Sequence, residues 1–481
     1  MNNDWAGQTF PHPPGRRPVI GDVAGVDRSR PLQDTMARAA DLRPIFEMHV
    51  FAQKFVFVGG AHLAAEMCDE SRFAKGLSPA LEALRDFVGD GLFTAYNDET
   101  NWHLAHDLLR PAFTREAMQR YHPTMLETIG ELFAMWQSHD GPVDVAHGMT
   151  KLTMETLSRA AFSHDFGSFT ADEPHPFVPA MIAALSTGQR IGSLNAMPGA
   201  KMFANRLRSK NASHQEYIDG MLDGIIADRR AADDLDDRDL LGLMLGTGHP
   251  ETGERLDDLN IRHQILTFLV AGHETTSGAL SFALYYLSRH PEVLAQAQAE
   301  TDAILGSDPD SVPTFEQVPK FRYIRRVLDE SLRLWPTAPA FTRSPRAELT
   351  LSTGHHMRPE DWAIIILPMV HRDPEIWGED ADRFDPDRFT PERSRGRAPH
   401  VYKPFGTGER SCIGRQFALH ESVLALARLV HRYDFAGDPD YVLRISERLT
   451  LMPDGFKLTL TPRTPALVTS SHDATSTGAP S

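Results

Sequence analysis

Phe405-Gly-Thr-Gly-Glu-Arg-Ser-Cys412-Ile-Gly414 sets a cysteine in a glycine-rich turn just ahead of a predicted helix over about 414–433. Gly406, Gly408 and Gly414 let the backbone reach positive φ and bring N–H groups close to a sulfur. The helix would aim the positive end of its dipole at that sulfur, which favours thiolate over thiol. The chain has one other cysteine, Cys68, in AEMCDESRF. Two cysteines in 481 residues exclude a disulfide framework and a cysteine-rich zinc module. A free cysteine is most often a packing residue, and Cys68 reads as one. Around Cys412 the aromatic, three glycines and arginine at set spacings argue for chemistry.

Upstream lies the clearest helix. It starts at Asp257–Asp258, good capping residues, and runs to His290, where Pro291 stops it. A second helix, Phe321–Leu334, is closed by Pro336. Between about 61 and 334 helical spacing dominates, as in Ile218, Met221, Leu222, Ile225 and Ile226. Asp219, Asp223, Asp228, Arg229 and Arg230 read as the solvated face of that stripe. Strands are predicted in Phe46–Val58, Leu349–Leu351 and Ala363–Leu367, and around Leu449–Leu460. A Pro/Gly-rich arm fills about 1–40 and a small, polar tail fills 462–481, which reads as disordered. The expectation is one large, mainly α domain over 1–461 with a minor β region.

With 41% hydrophobic residues the chain can bury a large core, yet no stretch reaches the roughly 20 apolar residues of a membrane span. The first residues lack an apolar signal region, so a cytoplasmic protein is expected. A net charge of −16 without a basic block disfavours nucleic acid.

Three further constellations stand out. Glu330 and Arg333 share a helix face; taken alone they would be a surface ion pair. Ala271-Gly-His-Glu274-Thr275-Thr276 sits mid-helix, where glycine and a threonine bonded to a carbonyl can loosen the ladder; otherwise it is a small-residue packing point. His273 reads as a helix-surface residue. Trp102 and His106 lie one turn apart and offer two N–H donors.

A thiolate in a glycine nest suits haem iron as an axial ligand, and Arg410 could pair with a haem propionate. Phe405-Gly-x-Gly-x-Arg-x-Cys412-x-Gly414 resembles the haem-binding signature of cytochromes P450. The resemblance implies the P450 fold, haem b as cofactor, and monooxygenase chemistry on dioxygen. It implies that Cys412 ligates the iron, with Arg410, Trp102, His106, Phe405 and Gly406 at the haem. Glu274 and Thr275 resemble the family's acid–alcohol pair, which moves protons to dioxygen. Glu330, Arg333 and Arg388 (in FDPDRF) resemble its bracing network, a structural role.

The likeness runs from roughly 40 to 460. It is strongest to the haem domain of the bacillar, reductase-fused fatty-acid hydroxylases, carried by CDESRF, RDFVGDGLFTAY, AGHETTSGALSFALYYL, LRLWPTAPAF, HRDPEIWG and FGTGERSCIGRQFALHE. It implies Phe93 above the haem, with Ala271, Ala338, Ala340 and Leu449 lining an apolar pocket. Two departures follow. Gln53 and Phe57 stand where that group binds the fatty-acid carboxylate, and Lys54 would point to the other face. No flavin reductase follows, so a separate ferredoxin- or flavodoxin-type partner is expected, unless the chain is part of a fusion. Arg410, Arg415 and Lys403 would greet an acidic carrier. The expected substrate is a lipophilic molecule, a long-chain fatty acid or a neutral polyketide- or terpenoid-like metabolite; a peroxide-driven peroxygenase is the third reading.

Overall fold

The computed structural model describes residues 3, 5–171, 173–194, 199–232 and 238–463; most of the predicted tail lies outside them. The long predicted helix spans Asp258–Arg289, about 48 Å at 1.5 Å per residue. The Asp257 carboxylate caps it, accepting from Asn260 N at 2.7 Å, and Pro291 starts the next helix. Its middle is α-helical without a break, so Gly272 does not open the ladder.

This helix is the axis of the molecule. Val145–Phe162, Ala200–Ala231, Arg322–Leu334 and Arg415–Arg432 all pack on it. A helix covered on every side has no solvated face. That overturns the surface placement of His273, which is buried and bonded through Nδ1 to Leu269 O. Burial pushes its imidazole below the usual range. The acidic face of the Ile218 stripe is also partly engaged: Asp223 pairs with Arg262 of the central helix at 2.7 Å.

Five strands form the main sheet in the order Ile45–Val50, Gln53–Val58, Ala363–Ile366, Ala340–Pro345, Phe73–Lys75. All its neighbours are antiparallel except Gln53–Val58 with Ala363–Ile366. Tyr433–Gly437, Lys457–Pro462 and Val143–Asp144 make a second sheet. Ordered structure thus passes the expected boundary at 461, since Arg463 also pairs with Asp302 at 2.7 Å. The arm is pinned rather than merely laid on: Trp5 is fully buried and donates through Nε1 to Trp362 O at 3.2 Å. It also carries a helix, Pro31–Arg38.

Among the described residues no helix is long and apolar enough to cross a membrane.

Candidate active site

The cysteine loop is held from three directions. Gly406 and Gly408 lie at φ 72° and 65°, as the turn requires, whereas Gly414 lies at φ −80°, open to any residue. A Cβ on Gly414 would sit 4.0 Å from the Cys412 sulfur. One on Gly408 would strike Glu70, which Arg343 anchors from the main sheet. Cys412 N donates to Phe405 O at 2.9 Å, closing the turn.

Cys412 is open to the surface on one side. The dense shell on its other sides still pushes its thiol up, against the opposing pull of the Gly414 N–H and Arg415. The openness describes the sulfur's free face; the raised pKa describes the atoms packed behind it.

Behind the loop, Glu330 and Arg333 are both fully buried, not a surface pair. Arg333 grips the carboxylate at 2.6 and 2.8 Å and donates to the carbonyls of His371, Ala381 and Arg383. Arg388 approaches Glu330 at 3.5 Å and completes the predicted trio. Burial outweighs these cations and leaves the Glu330 carboxyl above its usual range. His371 joins this network to the cysteine loop. Lys403 N donates to His371 Nε2 at 3.1 Å, which leaves Nδ1 to donate to Arg333 O at 3.2 Å. Both bonds need the neutral ring, and burial holds its pKa down at about 3. The sequence reading missed this histidine.

On the opposite side the central helix presents the predicted pocket residues. Ala271 is exposed mid-helix, and Thr275 Oγ1 donates to Ala271 O at 2.7 Å. Glu274 is buried and accepts from Thr450 Oγ1 at 3.0 Å. Thr450 follows Leu449 at the tip of the Ile445–Glu447/Leu451–Pro453 hairpin. Leu451 N donates to Thr337 O, beside Ala338, at 2.9 Å. A Cβ on Gly278, one turn beyond Glu274, would meet Leu451 O and Thr337. Ala271, Ala338 and Leu449 thus converge. Ala338 and Ala340 are exposed although they flank core elements, as a pocket lining requires.

Arg410 does not face outward with Arg415. It donates to Leu92 O, Ala95 O and Asn97 Oδ1 and stacks on Trp102 at 4.6 Å. Burial brings its pKa down to about 10. Lys75 bonds Phe93 O and lies 5.0 Å from the Phe93 ring. Its pKa is pushed well down, first by burial and then by Arg410. Both cations are half-buried on the same stretch of backbone, 92–95, where anions would be favoured. Trp102 stacks with His106 at 4.8 Å, and His106 leans to Asp107 at 3.3 Å.

A family profile described as Cytochrome P450 matches residues 11–460. The chain belongs to the cytochrome P450 family. Among curated relatives it is 40% identical, over 92% of its length, to a Bifunctional cytochrome P450/NADPH--P450 reductase 1 of Bacillus subtilis. A Bifunctional cytochrome P450/NADPH--P450 reductase of Bacillus cereus is 39% identical over 92% of the chain. A Self-sufficient cytochrome P450 monooxygenase of Phanerodontia chrysosporium is 38% identical over 95%. The chain spans 41%, 41% and 43% of these relatives' lengths.

Members of this family are haem-iron oxidoreductases, and the residues present fit that group. The Cys412 sulfur is exposed at the glycine turn, with the Gly414 N–H and Arg415 drawing its thiol toward thiolate. Arg410 and Lys75, gathered on the carbonyls of Leu92, Phe93 and Ala95, offer two cations suited to paired carboxylates. The apolar Ala271, Ala338 and Ala340 are exposed.

Proposed function

We propose that this P450 hydroxylates a lipophilic substrate held mainly by apolar contacts, using dioxygen and electrons from a reductase. The single observation that carries the substrate reading is the face of the first hairpin bearing Gln53 and Phe57. There Phe46 opposes Phe57, Met48 opposes Phe55 and Val50 opposes Gln53, all neutral. Lys54 lies on the other face, paired with buried Glu47 at 3.5 Å and bonded to Gln8 O. It does not replace a missing carboxylate anchor.

Haem bound to a thiolate supplies the activation of dioxygen. Cys412 would be the ligand, and Phe405 and Gly406 shape the turn that presents it. Arg410 and Lys75, with Trp102 and His106, would hold the haem carboxylates by charge-assisted bonds. Ala271, Ala338, Ala340 and Leu449 exclude water from the reacting carbon, and Phe93 limits approach. Glu274, oriented by Thr450, stores the proton, and Thr275 passes it on. An acid–alcohol pair kept intact argues for reductase-driven rather than peroxide-driven turnover. The haem domain extends through Arg463; its reductase is either a separate protein or a fused partner, and the enzyme works in the cytoplasm.

The test is optical. Ferric enzyme is titrated with C12–C16 fatty acids and with alcohols and methyl esters of equal length, following the low-to-high-spin shift. Neutral compounds binding as tightly as the acids support the reading. Acids at least tenfold tighter, about 1.4 kcal/mol, would overturn it and locate an anchor elsewhere.

A further inference from the structure

The Phe93 segment is backed by a polar contact with the central helix that the haem chemistry does not use. Asp90 is its hub. One carboxylate oxygen accepts from His263 Nδ1 at 2.6 Å and Asn260 Nδ2 at 3.0 Å, and the other from Asn101 Nδ2 at 2.8 Å. These bonds, His263 first, hold the Asp90 carboxyl far below the usual carboxylate range. Two residues on, Leu92 N donates to Gln264 Oε1 at 3.0 Å, and Gln264 is itself fixed by Asn260 at 3.0 Å. Asn260, His263 and Gln264 occupy neighbouring positions on one face of the helix. The backbone is pressed against that face: a Cβ on Gly89 would lie 2.2 Å from the His263 ring, and one on Gly91 would overlap Thr267.

We propose that Asp90 and His263 act as specificity-determining positioning residues. By latching the Gly89–Ala95 segment to the central helix, they set how far the Phe93 ring projects over the haem, and so admit slender ligands over broad ones. The proposal rests on the reading that Phe93 stands above the haem. Phe93 is free to carry that role, with 37% of its surface exposed, while its backbone is clamped from both sides. Arg410 and Lys75 hold the carbonyls of Leu92, Phe93 and Ala95. Asp90 and Gln264 hold the helix-facing edge. A ring whose main chain is tied at both edges cannot retreat when a wide ligand arrives. Release of the helix-side ties leaves the segment hinged on the Arg410 side alone.

The latch contacts neither iron nor substrate, so its effect is read as a ratio. Haem-loaded enzyme is titrated with imidazole and with 4-phenylimidazole, following the red shift of the Soret band on nitrogen ligation. The ratio of the two Kd values measures crowding over the iron without knowledge of the natural substrate. Phe93→Ala should favour 4-phenylimidazole by about tenfold or more. Asp90→Asn and His263→Phe should each move the ratio the same way by about fivefold, the scale of one lost intramolecular hydrogen bond. Both should add little in the Phe93→Ala background, because they act through that ring. His263→Gln, which keeps a donor, should restore the wild-type ratio. The carbon monoxide difference band at wild-type intensity reports an intact haem domain in each variant. If Phe93→Ala moves the ratio while Asp90→Asn and His263→Phe do not, the latch is refuted. The same holds if their effect persists in full without the Phe93 ring. If Phe93→Ala itself changes nothing, the placement of Phe93 over the haem fails, and the latch falls with it.

Discussion

Glu330→Gln is the most exacting test of how this domain is braced. The substitution keeps shape and volume but removes the one carboxylate that pairs with Arg333 among the described residues, and it leaves Arg388 with Asp380 alone at 2.8 Å; the Arg333 and Arg388 side chains are 0% and 3% exposed. Arg333 keeps its three carbonyl acceptors. What is lost is the charge and one acceptor oxygen: the amide can keep Oε1 for Arg333 Nη2 and Asp385 N, but it turns an NH2 toward Arg333 Nε where Oε2 accepted at 2.6 Å. Burial has raised the Glu330 carboxyl, so the intact pair recovers only part of its desolvation cost, and it serves geometry more than net stability. Removing one partner is another matter, because an unpaired buried charge costs about 3–5 kcal/mol. Unfolding entropy of about 2.1 cal/mol/K per residue gives roughly 1 kcal/mol/K over 481 residues. The melting midpoint should therefore fall by about 3–5 °C, together with the fraction of protein absorbing near 450 nm as the reduced carbon monoxide complex. Asp86→Asn is the control. It breaks the Arg208 pair, whose side chains are 46% and 47% exposed, and should shift the midpoint by less than about 1 °C. Equal shifts in the two variants would show that burial does not govern this pair, and the reasoning would fail.

Two further outcomes can be checked alongside. His371→Gln retains an acceptor for Lys403 N, and His371→Asn retains a donor for Arg333 O. If the bond to the cysteine loop is the one that orients the ligand, Asn should convert more of the carbon monoxide complex to the 420 nm form and shift the haem potential, while Gln stays near wild type. The reverse ranking would assign the role to the Arg333 side. Glu421 is buried with Oε1 unpartnered, and its pKa is raised to about 8 by burial. Between its ordinary value of 4.5 and about 8, the folded chain holds a proton that the unfolded chain releases. Stability should thus fall as pH rises through that window and level off above it. Glu421→Gln should flatten this slope in denaturant titrations at pH 5, 6.5 and 8; an unaltered slope would refute the assignment.

The legible parts of the molecule were those written in contiguous residues. The cysteine loop, the capped central helix and the Glu330–Arg333 spacing each sit within one element, so motif and periodicity reached them. Periodicity reports only whether a helix has an apolar stripe. It misplaced His273 because a helix enclosed on all sides has no polar face to mark. The sign of the Cys412 environment was also hidden, since the helix dipole is local while the burial that opposes it comes from packing. Lys75, His371 and Thr450 escaped notice because each acts on a group far away in sequence: the Phe93 segment, the loop at Lys403, and Glu274. A lysine in a short strand or a threonine in a hairpin carries no local mark of such a partner. Arg410 was found by its motif, yet its inward turn depends on the Leu92 and Ala95 carbonyls.

The bond between Glu274 and Thr450 has a consequence for how the protein is made. The ribosome delivers the central helix long before the thiol at 412, and Thr450 emerges later still. Until those segments arrive, the acid lies along a helix with neither its hydroxyl partner nor a ligand for iron. A nascent chain interrupted before Thr450 therefore carries Glu274 without its hydroxyl partner. Competence waits for Thr450, when the polypeptide returns to a helix laid down 176 residues earlier.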